Sequence, residues 1–214
     1  MSDGLFITFE GGEGAGKTTQ SRLLAERLRQ AGHEVVLTRE PGGTPGAEAL
    51  REVLLFGAAP LSWKAQVLGH MAARADHIDN LIRPAIERGA VVVCDRFHDS
   101  TVTYQGYGVG RAEQAILSFI ADIRRLLAFE PDLTFLLTVP LETGMDRLAA
   151  RGGRTDRYEA ESVAFHERVE AGFAAIAAAE PVRMRVVNGV RAPDEVAQTI
   201  YDCATACLEA RLKG

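Results

Sequence analysis

The chain has very few lysines and very few cysteines. Among 214 residues there are three cysteines, and lysine occurs only at positions 17, 64 and 213, so the basic side chains are almost all arginine. A small, odd number of cysteines provides no disulfide framework and is typical of a reducing compartment. The scarcity of lysine makes Lys17 chemically conspicuous.

Long apolar runs and a strong net charge are also absent. No stretch of 18 apolar residues is present, and the first residues lack the charged-then-apolar pattern of a secretory signal. The net charge of −5 argues against a surface that coats nucleic acid. We therefore expect a cytoplasmic protein that binds neither a membrane nor nucleic acid. The length suits a single domain over residues 1–214.

Apolar runs alternate with helical patterns along the chain, which predicts an α/β fold. The strand candidates lack clean polar alternation, as expected for strands buried on both faces. We expect a parallel five-stranded sheet with helices on both faces, in a three-layer arrangement. The predicted strands are Leu5–Glu10, Glu34–Thr38, Ala90–Asp95, Leu133–Val139 and Arg183–Asn188. The predicted helices are Lys17–Ala31, Thr44–Phe56, Ser62–Arg88 (with a kink at Pro84), Arg111–Phe129, Leu141–Ala150, Asp156–Ala179 and Ala192–Leu212.

A complete GxxxxGK[ST] motif lies between the first predicted strand and the first predicted helix. In this context glycines let backbone amides converge on a phosphate, and the helix N-terminus adds partial positive charge. The lysine would reach the β- and γ-phosphates of ATP, and the threonine would offer a hydroxyl to Mg²⁺. The predicted ATP-binding residues are Gly11, Gly12, Glu13, Gly14, Ala15, Gly16, Lys17 and Thr18.

Three further segments follow predicted strands, where ligands of open parallel sheets bind. The turn at residues 39–44 is glycine-rich and carries a charge pair, although a plain connection would have the same composition. Asp95 and Arg96 are interpreted as a Mg²⁺ ligand and a phosphate clamp, with a surface salt bridge as the alternative. Residues 147–159 place four arginines around a Gly-Gly pair, which suits a mobile lid as well as a solvated charge run.

These motifs together resemble the bacterial thymidylate kinases, a family of P-loop nucleoside monophosphate kinases. The resemblance runs from about residue 5 to about residue 190, and the phosphate loop alone would not select a family. The similar stretches are residues 9–20, Thr38-Arg39-Glu40-Pro41-Gly42-Gly43-Thr44, Asp95-Arg96-Phe97, Thr103-Tyr104-Gln105-Gly106 and Asp156-Arg157-Tyr158-Glu159.

The resemblance implies an enzyme that phosphorylates dTMP to dTDP with ATP and Mg²⁺, working as a homodimer. Glu13 would approach the sugar 3′-hydroxyl, Arg96 would clamp the dTMP phosphate, and Tyr104 would fill the space of a ribose 2′-hydroxyl. Thr18 and Asp95 would hold the metal. The implied substrate-binding residues are Glu13, Glu40, Pro41, His70, Arg74, Arg96, Ser100, Tyr104 and Gln105.

Catalysis would need no general base, because the dTMP phosphate is already largely dianionic at neutral pH. It would depend on positioning and charge neutralisation by Lys17, Arg96, Arg154 and Arg157. The loop residues Gly14-Ala15 lack the arginine of the eukaryotic branch, which assigns that charge to the lid.

One position departs from the family: His70 stands where relatives usually have an aromatic residue that stacks on thymine. The imidazole could stack on the base or pack against a neighbouring helix. A phosphate loop is also found in two alternative classes: kinases for other nucleoside monophosphates, and GTP-dependent switches. The chain lacks the [NT]KxD motif by which a GTP-dependent switch would recognise guanine.

Overall fold

A computed structural model describes residues 4–213, and the side chains of residues 4–211; the rest of the predicted domain, residues 1–3 and 214, lies outside the described residues. Its centre is a parallel five-stranded sheet in the order β2-β3-β1-β4-β5. This confirms the predicted sheet, and every strand matches its prediction within one residue at each end. The strands are β1 (Leu5–Glu10), β2 (Val35–Arg39), β3 (Val91–Asp95), β4 (Leu133–Thr138) and β5 (Met184–Asn188).

Helices connect the strands and cover the sheet. The α-helices are α1 (Lys17–Gln30), α2 (Pro45–Phe56), α3 (Trp63–His77), α4 (Arg83–Glu87), α5 (His98–Thr101), α6 (Gln114–Leu127), α7 (Leu141–Arg151), α8 (Val163–Ala179) and α9 (Pro193–Lys213). Two π-helical segments, Ile78–Ile82 and Val102–Val109, follow α3 and α5 directly. None of the helices in the described part of the chain is long and apolar enough to cross a membrane.

Both faces of the sheet are buried, which explains the unbroken apolar runs in the strands. On one face Ile7 and Phe9 of β1 pack with Leu24 of α1 and Ile200 of α9. On the other face Phe6 joins a cluster with the helical residues Ile78 and Ile82. The ends of the strands are therefore held firmly, and the segments that follow them start from fixed positions.

The single helix predicted over Ser62–Arg88 is wrong in detail, because a π-helical segment divides it. Pro84 has no backbone N–H, and its ring would clash with the carbonyl of Asn80 in a regular α-helix. The chain widens into π geometry just before the proline, as such interruptions commonly do. The predicted kink therefore takes the form of a local change in helix type.

The helix predicted from Asp156 begins seven residues later, at Val163, where Ser162 caps it. The Asp156 carboxylate accepts hydrogen bonds from the backbone amides of Tyr158 (2.8 Å) and Glu159 (2.9 Å). An aspartate that binds nearby amides in this way favours a turn over a helix. The helix predicted from Arg111 likewise begins only at Gln114, since Arg111 and Ala112 have positive φ angles. Helix α5 and its π-helical continuation were not predicted.

Candidate active site

A cavity of about 810 Å³ opens at the carboxyl ends of the central strands. Its walls come from the phosphate loop, the turn after β2, helix α3, the segment after β3 and the 147–159 segment. All nine predicted substrate-binding residues line it, as do six of the eight predicted ATP-binding residues. We call five buried or largely buried side chains, each fixed by hydrogen bonds, the inner wall: Glu40, His70, Arg74, Arg96 and Tyr104.

The phosphate loop takes a conformation that glycine makes possible. Gly11, Gly14 and Gly16 have φ angles of 138°, 65° and 96°. A Cβ atom at Gly14 would also collide with the carbonyl of Gly144. The loop leads directly into α1, whose N-terminus carries no side-chain cap and no acidic residue in its first turn. Its first amides are therefore available to an anion.

Lys17 folds back over the loop. Its Nζ donates to the carbonyl oxygens of Gly11 (2.9 Å) and Gly12 (2.6 Å). Burial and the nearby Arg96 lower the pKa of the lysine to about 8. Gly11 and Gly12 do not line the main cavity. They border a second cavity of about 340 Å³.

The two predicted metal ligands lie together at the start of α1 and the end of β3. The Thr18 hydroxyl donates to Oδ2 of Asp95 at 2.5 Å, and both side chains line the main cavity. Their oxygens are the hard ligands that Mg²⁺ prefers, and Mg²⁺ in kinases needs only one or two protein ligands beside phosphates and water. The described residues contain no cluster of three or more acidic, histidine or cysteine ligands. The pair therefore fits a metal held mainly by phosphates.

Glu13, Arg96 and Tyr104 form a compact charged group. Glu13 Oε1 accepts from Arg96 Nη2 at 2.7 Å and from the Tyr104 hydroxyl at 2.5 Å. Burial alone would raise the pKa of Glu13, but Arg96 and Lys17 lower it to about 2. The arginine also lies over the Tyr104 ring, 4.9 Å from its centroid. A cation with one carboxylate partner here can exchange that partner for a phosphate.

A buried carboxylate that the sequence reasoning missed supports this group. Glu10, at the end of β1, accepts from the backbone amide of Phe97 (2.7 Å) and from the Ser100 hydroxyl (2.6 Å). Ser100 in turn accepts from Arg96 Nη1 at 3.3 Å. Burial and the neighbouring Asp99 raise the pKa of Glu10 to about 7. Glu10 thus anchors the turn in which Arg96 adopts a φ of 73°.

Arg74 is fixed from three sides. Its Nε donates to Glu40 Oε2 (2.7 Å), its Nη1 to Thr101 Oγ1 (3.0 Å) and its Nη2 to the Phe97 carbonyl (2.9 Å). Glu40, predicted to bind substrate, lines the cavity, and its two carboxylate oxygens accept from Arg74 and His77, so it also supports the arginine.

His70 lies on the cavity wall, one helical turn before Arg74, as the i, i+4 spacing predicted. Its Nε2 lies 3.1 Å from the Tyr158 hydroxyl, which donates to Gln66 Oε1 at 3.2 Å. Because that hydroxyl proton is used, the imidazole carries its own proton on Nε2. Burial and Arg74 lower the pKa of His70 to about 3, which keeps the ring neutral.

Gln105 is buried beside Tyr104, and its Nε2 lacks a hydrogen-bond partner. A buried amide nitrogen without a partner is costly, and on the wall of a cavity it is available to a ligand oxygen.

Three of the four arginines in the 147–159 segment line the cavity, namely Arg147, Arg151 and Arg154, and each has a partner within the protein. Arg154 pairs with Glu52 at 3.0 Å and lies over the Phe56 ring. Arg157 donates to the carbonyls of Gly57 (2.9 Å) and Ala59 (3.0 Å) and does not line the main cavity. Gly152 and Gly153, with φ angles of 64° and 102°, separate these arginines from α7.

Among the cavity residues that were not predicted, Arg51 and Thr101 contact predicted ones. Arg51 of α2 lines the cavity and donates to the Pro41 carbonyl at 2.8 Å. Thr101 lies between Ser100 and Tyr104 and contacts Arg74. Its position directly after Ser100 in the sequence is the signal that could have found Thr101. Arg51 had no signal beyond its charge.

A strand, glycine loop and helix with a lysine and a Thr–Asp pair at one end of a parallel sheet define a P-loop phosphotransferase. A nucleotide-sized cavity walled by arginines extends this site toward an acceptor. The family model described as thymidylate kinase matches residues 9–200, and the chain belongs to the thymidylate kinase family.

Individual relatives agree with this family. The chain is 61% identical to a thymidylate kinase of Gluconobacter oxydans over 96% of each sequence. It is 50% identical to that of Caulobacter vibrioides, covering 94% of this chain and 96% of the relative. Among solved structures, the thymidylate kinase of Ehrlichia chaffeensis matches with a TM-score of 0.76 and 36% identity, covering 94% of this chain and 98% of that chain.

Proposed function

We propose that the protein transfers the γ-phosphoryl group of ATP to dTMP, forming dTDP. The observation that carries this proposal is the cavity itself, which a phosphate loop and a fixed arginine wall line together. Similarity to thymidylate kinases over nearly the full length, with 61% identity to that of Gluconobacter oxydans, supports dTMP as the acceptor over another monophosphate.

In this proposal the inner wall holds dTMP. Arg74, immobilised by its three oxygen partners, faces the base, and Tyr104 restricts space beside the sugar. Arg96 exchanges Glu13 for the dTMP phosphate, and the freed Glu13 carboxylate can accept from the 3′-hydroxyl. These roles are supported by the common cavity that the residues line.

The loop amides and Lys17 hold the phosphates of ATP. Phosphoryl transfer needs alignment of two anions and neutralisation of the charge that develops between them. Lys17 supplies that charge by leaving the carbonyls of Gly11 and Gly12 for the phosphate oxygens. Mg²⁺, held by Thr18 and Asp95, would screen the same charge when bound with ATP.

Residues 147–159 are proposed as a mobile lid within the single domain. Arg154 and Arg157 would leave Glu52 and the carbonyls after α2, and would reach the transferring phosphoryl group. Closure would exclude water and so limit ATP hydrolysis. The paired glycines and the exposed position of the Arg154–Glu52 pair support this motion.

A homodimer is also proposed. Leu68 of α3 and Val53 of α2 are 48% and 55% exposed, which leaves apolar area on two packed helices. Sedimentation equilibrium measures this directly. A cytoplasmic location stays a prediction based on cysteine content.

The function is tested by coupled ADP release across dTMP, dUMP, AMP and GMP, with and without Mg²⁺. We expect dTMP to be preferred, dUMP to be weaker, AMP and GMP to be nearly inert, and turnover to require the metal. Comparable kcat/KM values for AMP and dTMP would contradict the proposal.

A further inference from the structure

A series of buried polar groups runs from Arg74 through Glu40 to His77 and Thr38, and the last two of these do not line the cavity. Glu40 accepts from Arg74 Nε at 2.7 Å through one oxygen and contacts His77 Nδ1 at 2.9 Å through the other. His77 Nε2 lies 2.8 Å from the Thr38 hydroxyl at the end of β2. The imidazole is fully buried, and the Glu40 and Arg74 side chains are each only 3% exposed.

The hydrogen-bond donors and acceptors around His77 fix the orientation of its ring. A carboxylate with both oxygens in use can only accept, so His77 Nδ1 must carry a proton and donate it to Glu40. The Thr38 hydroxyl can donate to Nε2 or accept from it, so it holds the ring in either charge state. Histidines that orient a carboxylate or a ligand commonly work through such a second hydrogen bond.

The glycine-rich turn after β2 makes room for these contacts. Gly43 has a φ of 91°, and a Cβ atom there would lie 2.5 Å from both His77 Nε2 and Thr38 Oγ1. Any side chain at this position would push the imidazole away from Thr38. The second glycine of the PGGT stretch therefore has a packing reason that is independent of the bound nucleotide.

We propose that His77 is a positioning residue for the acceptor nucleotide, acting through Glu40 to hold the Arg74 guanidinium in its binding orientation. Without the Nδ1–H donor, one Glu40 oxygen would be buried and unpaired, and the Glu40–Arg74 pair would shift to satisfy it. The proposal rests on the proposed function only in naming dTMP as the ligand that Arg74 meets.

Two substitutions separate this role from packing. In His77→Asn the amide nitrogen reaches the place of Nδ1 and keeps a donor toward Glu40. In His77→Gln the amide nitrogen reaches the place of Nε2 and leaves Glu40 without that donor. Both variants lose the imidazole ring, so each controls for the other. Loss of such an orienting contact typically costs 10–100-fold.

The measurement is steady-state KM for dTMP and for ATP, with kcat and Tm for each variant. We expect His77→Gln to raise KM for dTMP about tenfold, with KM for ATP within about twofold of wild type. His77→Asn should stay within about threefold for both. Equal KM values for dTMP in the two variants, whether both raised or both normal, would overturn the positioning role.

Thr38→Val keeps the test decisive if His77→Gln does not fold. This substitution, at a half-buried position, removes the hydrogen-bond partner of His77 Nε2. We expect KM for dTMP to rise about two- to threefold with KM for ATP unchanged. An unchanged KM for dTMP would overturn the proposal. Failure of the proposed function would show differently, as wild-type protein that does not turn over dTMP. The Asn and Gln variants would then be compared on whichever monophosphate the wild type accepts.

Discussion

The inner wall and the proposed lid both present arginines, but they hold them by different means. Arg74 and its partner Glu40 are each 3% exposed, whereas Arg154 and its partner Glu52 are each 62% exposed. Removing one partner of a buried pair is costly, while an exposed pair contributes about 0–1 kcal/mol. This difference suits the proposed roles, in which Arg74 is fixed in advance for the acceptor and Arg154 leaves a contact that exchanges easily.

The largest expected effect comes from a substitution in the phosphate loop, whose lysine is buried and held by hydrogen bonds as the inner wall is. Lys17→Ala should reduce kcat about 10³-fold, because a preorganised cation on the transferring phosphoryl group is worth roughly 10²–10³ in rate. Steady-state kinetics and circular dichroism check this together. Near-normal turnover by a folded variant would show that the loop lysine is not catalytic.

The next effect concerns the lid. Replacing Arg154 and Arg157 together by alanine should lower kcat about 10²-fold while KM for dTMP changes little, because their charge would act only in the transition state. Glu52→Gln is the matched control, since it frees Arg154 without removing its charge. A raised KM with normal kcat would mean that these arginines bind the acceptor instead.

The buried carboxylate of Glu10, which supports the Arg96 part of the inner wall, makes the stability of the protein depend on pH. Its pKa is raised by burial from 4.5 to about 7, so the folded state binds this proton more tightly than the unfolded chain does. The resulting stabilisation is fully present below about pH 4.5 and is lost as the pH rises through about 7. Between pH 4.5 and pH 7.5, the free energy of unfolding of wild type should therefore fall by on the order of 2 kcal/mol relative to that of Glu10→Gln. This corresponds to about 30-fold in the unfolding equilibrium.

Urea unfolding of both proteins at matched pH values measures this difference, since the other titrating groups are common to the two. A difference that stays constant with pH would show that Glu10 is ionised throughout and that its charge is well compensated.

The smallest effect concerns His70, whose imidazole is neutral because burial and Arg74 lower its pKa to about 3. His70→Ala should raise KM for dTMP several-fold, and His70→Phe should restore it, since a phenyl ring offers more stacking area. The ratio of wild-type to His70→Phe KM should be constant between pH 6 and pH 8, because His70 does not titrate there and the groups that do, among them Glu10 and the dTMP phosphate, are common to both proteins. A ratio that changes with pH would show that the ring becomes charged.

Much of this arrangement could be predicted from the sequence, and the exceptions have physical causes. The strands and the phosphate loop are local patterns, so the Thr18–Asp95 pair was expected before its 2.5 Å contact was seen. Glu10 and His77 were missed because their roles depend on contacts 87 and 37 residues away along the chain. A buried acid inside an apolar strand shows no local signal of the partners that stabilise it.

The mobile lid stays a prediction, and the contacts of residues 147–159 could not be predicted from the sequence. Its Gly-Gly pair and arginines are visible in the sequence, whereas the turn at residues 156–161 depends on Asp156 binding two backbone amides. The attachment of Arg157 to the carbonyls of Gly57 and Ala59 joins segments about 100 residues apart, which no local pattern encodes.

Hydrogen exchange tests the division between a fixed inner wall and an exchanging lid most directly. In the free protein, we expect amides at 96–105 to exchange slowly and amides at 152–157 to exchange fast. Adding dTMP with a non-hydrolysable ATP analogue should protect residues 152–157 and leave the slow exchange at 96–105 nearly unchanged. Equal protection of the two segments in the free protein, or a lid that gains none with both nucleotides bound, would contradict the division.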